Sequence, residues 1–138
     1  MEFNKLIPEL SVSNFQKSLD FYTKIIGFKV EYQRDESKFV MLSFQGSQIW
    51  IEEINDTWSI GKLEYPFGRG VNFQIEVDKI KPIFDNLINN DYPIFVEPKE
   101  NWYREGYKLI GSLEFLVKDP DGYLLRFAQD LGIKQLNK

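Results

Sequence analysis

The fold is decided by residues 10–32, which read LSVSNFQKSLDFYTKIIGFKVEY. The first six positions alternate between apolar and polar side chains, which is typical of a strand, and they run into a helix-start residue at Ser13 or Asn14. Apolar residues then recur at helical spacing until Gly27, which stops the helix, and residues 28–32 read as another strand. The stretch therefore predicts a strand, a helix and a second strand in succession.

The same pattern returns about 65 positions later, where residues 75–80 read IEVDKI. Asp78 is the predicted N-cap of a second helix, whose apolar stripe comprises Ile80, Ile83, Phe84, Leu87 and Ile88. Each half closes with a hairpin, and the turns at residues 45–47 and 119–122 contain the glycine, aspartate or proline that tight reversals need. Two βαβββ units follow from this repeat.

The predicted class is α+β, with two βαβββ modules forming a curved mixed sheet that has a cleft on one face and helices on the outer face. We expect one domain over residues 1–138, because neither half could easily bury its sheet face alone. Its parts are module one at about 4–56, a linker at about 57–69 and module two at about 70–130.

Alternation along the strands collects polar and aromatic side chains on one sheet face. Trp50, Glu52 and Arg126 fall on this face, opposite apolar neighbours that belong to the core. A second group of candidates rests on alternation alone: Phe39, Met41, Glu114 and Leu116. The pattern fits a lined cleft and a solvent-exposed sheet face equally well. Glu52 and Arg126 are interpreted as an internal ion pair in preference to ligand contacts.

Adjacent aromatic residues stand out at Trp102 and Tyr103, because residues 97–101 before them read as a charged loop. Glu100 and Glu105 flank the pair and would suit a cationic ligand, although flanking charges are more often simply solvated. Trp50 could stack on a planar ligand or pack in a dimer interface. Trp58, in the linker, could be a hinge anchor or a dimer contact.

The 138-residue chain contains no histidine and no cysteine, which removes the usual ligands of zinc, nickel and iron and the usual general base. The net charge is −4, from 17 basic and 21 acidic residues without a basic cluster, so nucleic acid is not an expected partner and cationic ligands are mildly favoured. No apolar run approaches the roughly 20 residues that span a bilayer, and the start does not read as a signal peptide. We expect a cytoplasmic protein without a membrane partner.

Two stretches resemble the signatures of the vicinal oxygen chelate superfamily, which includes glyoxalase I, extradiol dioxygenases and bleomycin-resistance proteins. The N-terminal one covers residues 14–22 and 26–28, and the C-terminal one covers residues 115–123. The likeness extends over roughly residues 6–129 and implies paired βαβββ modules. It places the metal-ligand positions of the superfamily's metal enzymes at Ile7, Glu52, Asn72 and Arg126. Only Glu52 is a normal ligand, so we expect no metal, no other cofactor and no glyoxalase I activity.

The chain is most similar to the bleomycin-resistance branch, through residues 7–12, 49–52 and 101–105. This resemblance implies a homodimer that sequesters a cationic glycopeptide or similar aromatic antibiotic without modifying it, and hence a protein that is not an enzyme. The alternatives are a divergent enzyme that uses a carboxylate-bound hard cation and a ligand-sensing protein of the same fold. The predicted ligand-binding residues are Trp102, Tyr103, Trp50, Glu52, Phe39, Glu105, Glu114 and Arg126.

Overall fold

The computed structural model describes residues 2–136 and has the predicted α+β class, with two βαβββ modules. The strands and helices in chain order are β1 (Glu9–Val12), α1 (Phe15–Asp20), β2 (Lys29–Arg34), β3 (Phe39–Phe44), β4 (Ser47–Glu53), β5 (Asn72–Glu76), α2 (Lys81–Asn89), β6 (Val96–Glu105), β7 (Lys108–Lys118) and β8 (Leu124–Gln135). The first helix continues as a π-helix over Phe21–Ile26, and a 3₁₀ turn covers Asp35–Ser37.

The chain divides into two compact units. Unit 1 consists of Met1–Arg69 with Asp119–Tyr123, and unit 2 consists of Gly70–Lys118 with Leu124–Lys138. Each unit contains one four-stranded mixed sheet, in the order β1-β4-β3-β2 in unit 1 and β5-β8-β7-β6 in unit 2. In both sheets the first strand runs parallel to the last one of its module, and the remaining pairs are antiparallel. The repeat in the sequence is thus a repeat of topology.

The first helix begins and ends where the sequence predicts. The Asn14 side chain accepts a hydrogen bond from the Lys17 backbone N–H at 3.0 Å, which satisfies one of the free donors of the first turn. Gly27 ends the π-helix with φ at 110°, in the left-handed region that glycine adopts at low cost. In the adjoining sheet Ile49 and Ile51 are buried, as expected from alternation.

The turn at Asp119–Tyr123 is an anchored part of unit 1. Asp119 is only 2% exposed, and its carboxylate accepts hydrogen bonds from the Tyr22 hydroxyl at 2.7 Å and from the backbone N–H groups of Asp121 and Tyr123 at 2.9 Å each. Burial raises the pKa of Asp119 to about 6, although these hydrogen bonds act in the opposite direction. Asp121 in turn accepts from the Ser13 backbone N–H at 2.9 Å.

The second helix starts later than predicted. It begins at Lys81 with Ile80 at the N-cap position, so Asp78 is not its cap. Pro82 explains the start, because proline is tolerated in the first turn of a helix and not in its interior. Ile83 and Leu87 are buried in the predicted apolar stripe, whereas Ile88 is 49% exposed and lies outside it.

The largest correction concerns residues 97–101, which form part of strand β6 and not a loop. The strand is the edge of the unit 2 sheet, and a register shift between Val96 and Lys99 surrounds Pro98. Charged residues and proline have low strand propensity, but they are tolerated on an edge strand. Strand pairing with β7 therefore overrides the local preference of this segment.

Candidate functional sites of the two units

An aromatic pocket of about 490 Å³ lies in unit 1. Its lining residues are Phe3, Asn4, Lys5, Ile7, Tyr32 and Trp50. Gln48 holds the N-terminal wall in place, because its side-chain amide donates to the Glu2 carbonyl and its Oε1 accepts from the Asn4 backbone N–H, both at 2.8 Å. The segment that precedes β1 and forms this wall is therefore hydrogen-bonded to a residue near the start of β4.

Three rings adjoin one another on this side of the sheet. The Phe39 ring centroid lies 5.7 Å from that of Trp50 and 5.9 Å from that of Tyr32. The Arg34 guanidinium carbon lies 4.0 Å from the Phe39 centroid, within cation–π range. The Trp50 indole N–H is buried and has no hydrogen-bond partner in residues 2–136. Phe39 and Trp50, predicted as site residues, are thus brought together, and Tyr32 and Arg34 join them.

Two carboxylates lie near these rings. Glu52 pairs with Phe39 across β3 and β4, is 8% exposed, and accepts a hydrogen bond from the Asn55 side-chain amide at 2.6 Å. Burial and the negative charge of Glu52 raise the pKa of Glu9, while Arg34 opposes the shift. The sequence analysis did not predict Glu9. Its position in β1 could have indicated it, because Glu9 lies two residues before Ser11 and Ser11 is in register with Glu52.

Unit 2 contains a smaller and more polar pocket of about 130 Å³. Its lining residues are Gln74, Glu76, Tyr103, Ile110, Gly111, Ser112, Glu114, Ala128 and Asp130. Glu114 is its least exposed carboxylate, at 4%. Such a buried charge is stable only when donors surround it.

Four donors surround Glu114. Its Oε1 accepts hydrogen bonds from the Tyr103 hydroxyl at 2.6 Å and the Asn101 amide at 2.9 Å. Its Oε2 accepts from the Ser112 hydroxyl at 3.1 Å and lies 3.8 Å from Nη1 of Arg126. The hydrogen bond to Glu114, together with burial, raises the pKa of Tyr103. Tyr103, Glu114 and Arg126 were predicted as site residues; Asn101 and Ser112 were not.

Arg126 pairs with Glu114 of its own unit, where the sequence had suggested Glu52. The two side chains are diagonal neighbours, because Arg126 is in register with Leu116 and Glu114 with Ala128. The Arg126 Nε is buried without a hydrogen-bond partner in the described chain. The guanidinium therefore keeps donor capacity that Glu114 does not use.

Trp102 is held differently from Tyr103, its neighbour in β6. It is in register with Gly111, and a Cβ at Gly111 would lie 2.5 Å from the indole ring, so only glycine leaves room for it. The Lys134 ammonium lies 3.8 Å from the ring centroid. The carboxylate of Glu105 is mostly exposed and lies 3.6 Å from the Lys108 ammonium. Trp102 and Glu105 thus lie outside the Glu114 cluster.

The positions that the resemblance equates with metal ligands do not form a donor set for a metal ion. Ile7 has no donor atom, Asn72 is a neutral amide, and Arg126 carries a positive charge. Within residues 2–136 there is no group of three or more histidine, cysteine, aspartate or glutamate side chains that could hold a metal ion. Helices able to cross a membrane are also not found in that range.

A model of the Glyoxalase/Bleomycin resistance protein/Dioxygenase superfamily matches residues 6–127, and the chain belongs to that superfamily. The bleomycin-resistance branch is not singled out by this match. A lactoylglutathione lyase of Neisseria meningitidis is 27% identical over 133 residues, covering 87% of this chain and 86% of the relative. Glyoxalase domain-containing protein 4 of Rattus norvegicus is 24% identical over 94% of this chain, which spans only 42% of the length of the rat protein.

Solved structures share the fold. The crystal structure of TioX from Micromonospora sp. ML1 superposes with a TM-score of 0.72 at 14% identity, covering 94% of this chain and all of TioX. The relatives named lactoylglutathione lyase, in contrast, are informative about enzymatic activity. Because several similar proteins are named as an enzyme, lactoylglutathione lyase, the expectation of a protein that is not an enzyme is wrong.

Proposed function

We propose that this protein binds a cationic aromatic small molecule, of the class of bleomycin-type glycopeptide antibiotics, in the aromatic pocket of unit 1. One observation carries the proposal: a pocket of about 490 Å³ has Tyr32 and Trp50 in its wall and two carboxylates, Glu9 and Glu52, close to the same rings. Pockets for drug-sized ligands measure roughly 300–1,000 Å³ and combine aromatic walls with few polar groups.

The rings already accept a cation of the protein itself. Arg34 holds its guanidinium 4.0 Å from the Phe39 centroid, and the same charge opposes the upward shift in the pKa of Glu9. Because Arg34 already covers the Phe39 ring, a ligand cation belongs beside Trp50 in the pocket wall, where an attraction of this kind is worth ~0.5–2 kcal/mol. Lys5 brings a positive charge to the pocket wall, so the ligand's cationic group belongs on the side of Glu9 and Glu52.

A homodimer is part of the proposal. Unit 1 exposes large apolar side chains between β4 and β5, among them Trp58, Ile60 and Tyr65. Such side chains on a small protein favour burial against a partner, and a second copy is the commonest one. Light scattering at micromolar concentration should give twice the chain mass of 16.4 kDa. A monomer mass would end this part of the proposal and leave the ligand pocket to its own test.

Calorimetric titration with metal-free bleomycin tests the binding proposal. Saturable binding that weakens in Trp50→Ala is the expected result, with Trp102→Ala as the matched control because the same side chain is removed outside the pocket. Bleomycin that fails to bind at high micromolar concentration, or that binds Trp50→Ala and the unaltered protein equally, would refute it.

The lyase relatives favour a second candidate function, turnover of a small molecule. The observation in its favour is the Tyr103 phenol held at 2.6 Å by the buried Glu114 carboxylate in the wall of a polar pocket, an arrangement that could hold or move a proton. Incubation with methylglyoxal and glutathione tests this function, because a lactoylglutathione lyase interconverts this pair with the S-lactoylglutathione thioester and the equilibrium favours the thioester. Growth of the thioester absorbance above the rate without protein, abolished in Tyr103→Phe, supports the function. No growth above that rate counts against it.

A further inference from the structure

The structure places a cation of the protein where the superfamily resemblance places a metal ligand. Arg126 is on β8, in register with Gln74 of β5 and Leu116 of β7. All five N–H groups of a guanidinium are donors, so this side chain cannot coordinate a metal. Its positive charge also repels one.

The surroundings of Arg126 are acidic. Glu114 is 4% exposed and lies 3.8 Å away, and the adjoining pocket is also lined by the carboxylates of Glu76 and Asp130. Carboxylates that share the wall of a small cavity repel one another, so a positive charge nearby is stabilising. In this unit the nearest compensating charge to Glu114 is the guanidinium.

The contact between Arg126 and Glu114 acts through charge more than through hydrogen-bond geometry. A tight bridge of this kind has two parallel bonds of about 2.7–2.9 Å. Here the contact is 3.8 Å, and the buried Nε has no hydrogen-bond partner within residues 2–136. The hydrogen bonds that position Glu114 come from Tyr103, Asn101 and Ser112 instead.

We propose that Arg126, at a position that the resemblance equates with a metal ligand, is the built-in counter-ion of Glu114, so that removing its charge converts the Glu114 cluster into a site for a hard divalent cation. In the unaltered protein the guanidinium neutralises Glu114 and excludes the metal. Arg126→Glu replaces the repelling charge by a second carboxylate, beside a cluster that already has the carboxylate of Glu114 and the hydroxyl oxygens of Tyr103 and Ser112. Oxygen donors of this kind suit Mn²⁺, Mg²⁺ and Ca²⁺. The inference is independent of which ligand fills the unit 1 pocket.

Thermal unfolding in the presence of Mn²⁺ tests the proposal on four proteins: the unaltered chain, Arg126→Glu, Arg126→Gln and the control Arg104→Glu. Arg104 is an exposed arginine in β6 of the same unit, so its reversal changes net charge equally. We expect Mn²⁺ to raise the melting temperature of Arg126→Glu by about 3–6 °C at ten times a dissociation constant on the order of 10⁻⁴–10⁻³ M. The unaltered chain and Arg104→Glu should not respond.

Two results would overturn the proposal. One is a saturable response of the unaltered chain to Mn²⁺ at such concentrations, since the guanidinium would then not be excluding the cation. The other is the absence of a response in both Arg126 variants. Should Arg126→Glu fail to fold, Arg126→Gln decides the matter, because it leaves Glu114 without its counter-ion and must gain a smaller response that the added change Glu114→Gln abolishes.

Discussion

The two units share one topology and differ in the chemistry of their pockets. Unit 1 has a pocket of about 490 Å³ with aromatic walls, whereas unit 2 has a pocket of about 130 Å³ lined by carboxylates, a phenol and a hydroxyl. The strand order within each sheet is the same, and so is the pairing of the first strand with the last. The repeated fold therefore does not determine the site, which depends on the side chains of one sheet face.

Equivalent positions of the two units carry opposite charges. The resemblance equates Glu52 of β4 with Arg126 of β8. Glu52 is held by the neutral amide of Asn55 at 2.6 Å, while Arg126 lies 3.8 Å from the buried carboxylate of Glu114. Unit 1 thus keeps a carboxylate available for a cationic group, and unit 2 balances its carboxylate internally.

The largest effect that we predict comes from removing the Glu114 carboxylate, which offsets the charge of Arg126 in unit 2. Glu114→Ala should lower the free energy of unfolding by about 3–5 kcal/mol, because it leaves the Arg126 charge unpaired and the Asn101 amide and Ser112 hydroxyl without their acceptor. Urea denaturation measures the loss, and Glu105→Ala, at an exposed carboxylate, should change stability by less than about 0.5 kcal/mol. A loss below about 1 kcal/mol for Glu114→Ala would show that the cluster contributes little to the fold.

The next effect belongs to unit 1 and depends on pH. Asp119 has a pKa of about 6 in the folded chain, above its ordinary value of 3.8. The folded state therefore binds more protons between these values, and the contribution of Asp119 to stability falls as pH rises from about 4 to 6. The full change is about 3 kcal/mol. Asp119 faces the phenols of Tyr22 and Tyr123 and the carboxylate of Asp121.

Asp119→Asn isolates this group, since an amide can keep the two backbone hydrogen bonds and meet the Tyr22 hydroxyl without titrating. Denaturation between pH 4 and pH 7 should show that the unaltered protein loses stability relative to Asp119→Asn as pH rises. The depressed pKa values of Glu31 and Glu53 give the opposite trend and are common to both proteins. A constant difference across this range would mean that Asp119 is not held at a raised pKa.

The spacing of apolar and polar residues predicted the features that depend on neighbours in the sequence, namely helix ends and the buried face of each strand. Asn14 and Gly27 bound the first helix as expected, and the burial of Ile51 and Leu125 follows from alternation. The strand at residues 96–105 was not predictable, because its charged residues favour a loop locally and only pairing with β7 makes it a strand.

The pairing of Arg126 with Glu114 was equally hidden from the sequence. It is a diagonal contact whose geometry depends on the register of β7 against β8, and that register shifts at Gly111 and Ser112. The residue types on the site face could be listed from alternation, but the partners of each charge could not.

A smaller effect is expected in ligand binding and sharpens the contrast between the pockets. Trp50→Ala should weaken the binding of a cationic aromatic ligand by ~1–3 kcal/mol, the usual range for losing a stacking partner and its buried area. Calorimetry measures the difference against Trp102→Ala, which should change affinity by less. The reverse order of effects would move the ligand from the unit 1 pocket to the β6 strand of unit 2.

The smallest predicted effect concerns the indole of Trp102, which is contacted by Lys134 and Gly111 of its own unit. The Lys134 ammonium lies 3.8 Å from the ring centroid, and Gly111 packs against the ring. These contacts already occupy the ring surface on which a ligand would stack. A double-mutant cycle with Trp102→Ala and Lys134→Ala should give a coupling energy of about 0.5–1 kcal/mol in the free energy of unfolding. Pairing Trp102→Ala with Lys99→Ala, a lysine of the same edge strand, supplies the control and should give no coupling beyond about 0.3 kcal/mol. A cycle without coupling at Lys134 would mean that the ring is free in solution, and Trp102 would then regain its place among the ligand-stacking residues that the sequence predicts.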